Sequence, residues 1–105
     1  MQIQVNTDNH IEGHERLTRF VESTVADALS RFADRLTRIE VHFHDENGRS
    51  KNGGDDIRCV LEARPRGLKP LTVSNNAESL DQALGGAVEK IERALERTLG
   101  KLDAR

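Results

Sequence analysis

The stretch EVHFHDENGRSKNGGDDIRCVLEAR, residues 40–64, holds two alternating runs on either side of the most polar and glycine-rich segment of the chain. In the first run and the residues just before it, Ile39, Val41 and Phe43 share one face, and Arg38, Glu40, His42 and His44 share the other. In the second, Ile57, Cys59, Leu61 and Ala63 alternate with Arg58, Val60, Glu62 and Arg64. Alternation of period two over this length predicts strands at 38–45 and 57–64, each buried on one side. The intervening DENGRSKNGGDD, residues 45–56, then reads as a connector between them.

That polar run invites ligand readings, and both fail on spacing. Gly48 and Gly53 are spaced as in a phosphate-cradling loop, but Gly54-Asp55 stands where a Lys-Ser pair is needed, and a strand follows instead of a helix. A calcium loop begins with oxygen ligands such as Asp45 and Asn47. It then requires glycine at its sixth position, and Gly48 comes too early.

Working outward, Ile3 and Val5 alternate with Gln2, Gln4 and Asn6, predicting a first strand. From His14 to Leu36, Leu17, Phe20, Val21, Val25, Ala28, Leu29, Phe32 and Leu36 recur at steps of three and four, which predicts one helix over that whole span. After the third strand, PRGLKP interrupts the pattern, because proline has no N–H for a ladder and glycine accepts a positive φ. Leu71 and Val73 mark a short fourth strand. Asn76 is placed to cap a last helix whose buried stripe comprises Leu80, Ala83, Leu84, Ala87, Val88, Ile91, Ala94, Leu95, Leu99 and Leu102. Gly85-Gly86 within it costs roughly 1 kcal/mol per glycine relative to alanine, a cost that close helix–helix contact would justify.

The expected order is β-α-β-β-β-α, an α+β two-layer fold with a four-stranded sheet and both helices on one face. Gln2, Gln4, Arg38, Glu40, His42, Arg58, Glu62 and Arg64 would form the wet opposite face. At 105 residues, one domain spanning 1–105 is expected. With three Phe and no Trp or Tyr, the core rests on Leu, Ile, Val and Ala, and aromatic platforms for stacking bases are not expected. A single cysteine excludes an internal disulfide. MQIQVNTDNH lacks the basic start and apolar run of a signal peptide, and no apolar run approaches the roughly 20 residues that cross a membrane. A cytoplasmic protein is expected.

Catalytic and metal chemistry find little support. Cys59 reads as a small buried hydrophobe, Asp55-Asp56 point to opposite faces, and no set of nucleophile, base and orienting group is visible, so an enzyme is not expected. His42 and His44 project together, but alternation sends Cys59 to the other face; His10 and His14 are four apart. Neither metal nor other cofactor is expected.

The last helix is more informative. Lys90, Arg93, Arg97 and Lys101 stack as a basic stripe beside an acidic one of Glu89, Glu92 and Glu96. One reading is a solvated face with intrahelical pairs such as Glu89 with Arg93. The other is a docking surface for phosphates, extended by Arg16, Arg19, Arg31 and Arg35 of the first helix and by Arg64, Arg66 and Lys69 around the strand 3 to 4 turn.

The element order, the 40–64 segment and SLDQALGGAVEKIERALER, residues 79–97, together resemble the ribosome hibernation-promoting factor / ribosome-associated inhibitor family in its short single-domain form. The most specific pieces are Asp45-Glu46-Asn47-Gly48, Gly53-Gly54-Asp55 and Cys59. The resemblance implies a non-catalytic protein that occupies the mRNA/tRNA channel of the small ribosomal subunit and suppresses translation in stress or stationary phase. Lys90, Arg93, Arg97 and Lys101 would then lead the contacts to ribosomal RNA, with no small-molecule substrate and no membrane partner. Gly85-Gly86 and the wet sheet face leave room for a homo-oligomer. The formal charge of −2, and Asp81 and Gly85 where the family commonly has a Tyr and an Asp, motivate an alternative. That alternative is a protein-interaction or regulatory domain of the same fold without ribosome affinity.

Overall fold

The computed structural model describes residues 1–7, 14–45 and 57–103. The chain runs through β1 (Gln2–Thr7), α1 (His14–Ala28), a 3₁₀ segment (Ser30–Arg35), β2 (Leu36–Asp45), β3 (Ile57–Pro65), β4 (Leu71–Ala77) and α2 (Leu80–Asp103). The four strands form one sheet in the order β1-β2-β3-β4. β1 is parallel to β2, with α1 in the crossover that parallel neighbours require, and β2, β3 and β4 form an antiparallel meander.

The register converts the sequence alternation into rows across the sheet. Val5, Val41, Leu61 and Val73 are neighbours in one inward row, and Ile3, Ile39, Ala63 and Leu71 in the next. Val21, Val25 and Leu29 of the first helical region and Ala83, Leu84, Ala87, Val88, Ile91, Leu95 and Leu99 of α2 cover these rows in a single hydrophobic cluster. Gln4, Glu40, Glu62 and Thr72 form an outward row, so the expected wet face is present. Asp45 stands opposite Ile57 at the end of the β2–β3 ladder. The remainder of the polar run, residues 46–56, lies outside the described residues.

The first helix is shorter than its apolar spacing predicts. α1 ends at Ala28, and the Phe32 N–H donates to Leu29 O, three residues back, at 2.9 Å. This tighter turn keeps Leu29 and Phe32 in the core, as a helix would, while redirecting the chain toward the sheet. Leu36 is buried as expected, but with extended backbone (φ −113°, ψ 136°) as the first residue of β2. A register shift follows: Leu36 pairs with Pro65, yet Arg38 pairs with Arg64. The extra residue, Thr37, sits at a bulge and donates through Oγ1 to Arg64 O at 3.0 Å. Leu36 and Ile39 can therefore both face inward although three residues apart. Phe20 and Leu102, expected in the buried stripes, are exposed.

The second half also corrects two expectations. β4 extends through Asn76 to Ala77, so Asn76 does not cap α2; Ser79 does, its Oγ accepting from Gln82 N–H at 3.2 Å. The close neighbour of the glycine pair among the described residues is a strand side chain and not a helix. A Cβ at Gly86 would lie 2.1 Å from Nδ2 of Asn75 on β4, whereas one at Gly85 would meet nothing within 4 Å. Asn75 Nδ2 in turn donates to Gln82 O and Ala83 O, each at 3.3 Å, so a strand side chain lies directly on the helix backbone where a Cβ would otherwise stand.

Candidate nucleic-acid interface

The basic side chains singled out in the sequence fall into three groups by what they touch. On α2, Lys90, Arg93, Arg97 and Lys101 are all exposed along one flank. Lys90 Nζ donates to Ser74 O at 2.7 Å, which anchors its side chain to the β4 edge, and no carboxylate among the described residues compensates its charge. Arg93 meets Glu89 at 3.6 Å, and both side chains are 70% exposed, so water weakens the pair to a negligible hold. Arg97 and Lys101 have no hydrogen-bonding or ion-pair partner among the described residues, and the same is true of Arg16, Arg19 and Lys69.

The second group lies around the 3₁₀ segment. Arg31 and Arg35 belong to that segment and not to α1. Arg31 pairs with Glu96 and approaches Glu92 at 4.0 Å, its guanidinium resting 4.3 Å from the centre of the Phe32 ring. Arg35 places two guanidinium nitrogens on the two oxygens of Asp103 at 3.2 and 3.3 Å. The acidic flank of α2 is thus directed across the fold at the 3₁₀ arginines, where the sequence suggested only pairs within the helix. Arg66 serves the same region structurally. Its N–H donates to Arg35 O at 2.9 Å and its Nε to Asp34 O at 3.1 Å. Gly67, at φ 71°, completes the turn, and Leu68 N–H returns to Pro65 O.

The third group is on the wet sheet face. Arg64 reaches Glu62 at 3.0 Å and Glu40 at 3.7 Å, and Arg38 reaches Glu40 at 3.4 Å, giving two cations and two anions in one patch. Further along this face the His42 and His44 rings stack at 4.8 Å, nearly parallel. Cys59 is opposite Phe43 in the ladder and fully buried on the other side of the sheet. Burial pushes its thiol up to about 12, a neutral and unreactive group at physiological pH. No cluster of three metal-ligating side chains occurs among the described residues; His10 and the His14 side chain lie outside them.

The sequence pattern of the sigma 54 modulation protein / S30EA ribosomal protein family matches residues 3–103. The chain belongs to this family. No curated protein matches at a significant level. Among solved structures, the Protein Y N-terminal domain of Thermus thermophilus aligns with a TM-score of 0.72 at 18% identity, covering 93% of this chain and 99% of that one. A ribosomal subunit interface protein from Coxiella burnetii aligns with a TM-score of 0.65, also at 18% identity, over the full length of both chains. At that identity the likeness speaks for the fold: these proteins share the mixed sheet and the covering helices. Among the described residues, no helix is long and apolar enough to cross a membrane.

Proposed function

We propose that this protein is a non-catalytic cytoplasmic factor that binds the small ribosomal subunit in its mRNA/tRNA channel and suppresses translation in stress or stationary phase. Membership of a family described by a ribosomal protein supports the partner. The observation that carries the mode of binding is the α2 flank, where Lys90, Arg93, Arg97 and Lys101 stand three to four residues apart, with one weak carboxylate contact among them within the described residues. Such a row matches the repeating charge of an RNA backbone and positions the protein without reading bases. Inhibition then follows from occupancy, with no bond made or broken. Arg16, Arg19 and Lys69 offer further unengaged cations, while Arg31, Arg35, Arg64 and Arg66 reach RNA only after giving up their bonds within the protein.

Co-sedimentation with isolated small subunits over a salt series tests this. The protein should travel with the subunit at low salt, and Arg93→Glu with Arg97→Glu should release it. The apparent salt exponent should fall by about 0.9 for each phosphate that is no longer neutralised. A second reading, a regulatory domain of the same fold without ribosome affinity, draws on the carboxylates that occupy several of its arginines. Absence of the wild-type protein from ribosomal fractions at low salt would select it.

A further inference from the structure

We propose that the groove between the 3₁₀ segment and the last turns of α2 is a phosphate-binding site held closed by the protein's own carboxylates, which a polyanionic RNA backbone displaces. The groove, about 390 Å³ and open to solvent, is lined by Arg31, Phe32, Arg35, Glu96, Leu99 and Asp103 together with Gly100. Arg35 engages Asp103 end-on through Nη1 and Nη2, one of the fork geometries with which a guanidinium grips a phosphate. Arg31 lies over the Phe32 ring, so its charged plane is already oriented when Glu96 leaves. The two carboxylates thus stand where phosphate oxygens would bind.

Displacement is energetically accessible. Arg31 and Glu96 are 53% and 54% exposed, and Arg35 and Asp103 are 42% and 63% exposed. Pairs this wet contribute little to stability, whereas a phosphate backbone adds the release of condensed counterions. A single small anion lacks that second gain and must compete with a tethered carboxylate. The arrangement therefore admits a dense row of phosphates and turns away isolated ones. The identity of the polyanion rests on the ribosome reading; the closed site does not.

The test compares the full-length protein with the double variant Glu96→Gln/Asp103→Asn. Binding is measured to an RNA duplex of unrelated sequence over a salt series, to isolated small subunits, and to inorganic phosphate. The variant should bind the duplex about tenfold more tightly at low salt, with the salt exponent steeper by about 0.9 for each additional phosphate neutralised. Adding Arg31→Gln/Arg35→Gln should abolish the gain. The charge-matched control Glu22→Gln/Asp27→Asn, on α1, should give a clearly smaller effect. A control effect of equal size, or a gain that survives loss of both arginines, would show a general charge effect and overturn the proposal. So would wild-type binding of inorganic phosphate at a level the double variant does not exceed. If the duplex gain follows this pattern while no variant binds small subunits, the ribosome reading fails and the closed site stands.

Discussion

The two halves of α2 are attached to the protein in different ways. Toward its N-terminus the helix is capped by Ser79, has no side chain at Gly86 to separate it from β4, and receives the Asn75 amide on two backbone carbonyls. Toward its C-terminus, beyond the buried Leu95 and Leu99, its lateral contacts include the exposed pairs Glu96–Arg31 and Asp103–Arg35. One half is held by shape, with no room for a methyl group at Gly86. The other is held at its flank by charges that water already screens. Shape fixes the helix on the sheet, and the looser half presents Arg97 and Lys101.

The contrast is tested most directly at the leucines. Leu84→Ala, under the tight half, should destabilise the protein by about 3 kcal/mol in denaturant unfolding. Leu99→Ala should cost at least about 1 kcal/mol less, because its site borders the open groove and the neighbouring side chains can relax into it. Equal costs would mean that the two halves are packed alike.

The glycine pair probes the tight half with opposite signs. Gly86→Ala should destabilise by about 1–2 kcal/mol, as the Asn75 amide loses its two bonds and outweighs the better helix propensity of alanine. In an Asn75→Ala background that penalty should disappear. Gly85→Ala, with open space around its Cβ, should stabilise by up to about 1 kcal/mol. Thermal unfolding of the two single variants separates them.

The smallest effect belongs to the loose half. Arg35→Gln/Asp103→Asn should change stability by less than about 1 kcal/mol, with the difference vanishing as salt is raised. A larger cost would make the ion pair a structural fastening and not a displaceable one.

Much of this was legible in the sequence because alternation and helical spacing are local signals. The inward rows built on Ile39, Val41, Phe43, Cys59 and Leu61, and the buried face of α2, follow from period alone. The end of α1 was not legible: Leu29, Phe32 and Leu36 have helical spacing, and a 3₁₀ turn followed by a bulge buries the same three side chains. Asn76 and Ser79 are both acceptable caps by residue type, and only the length of β4 decides between them. For the candidate interface, each cation could be named, but its partner could not. Arg31 with Glu96 and Arg35 with Asp103 join residues 65 and 68 positions apart, a proximity that only the folded topology creates.

Cys59 gives the protein a built-in clock. It is the sole cysteine of the chain, sits on a central strand beneath the helices, and has a thiol that stays protonated while the fold is closed. Modification by an alkylating reagent therefore requires the sheet and its covering helices to part. Its rate reports how often those openings occur, with no reporter group engineered into the chain.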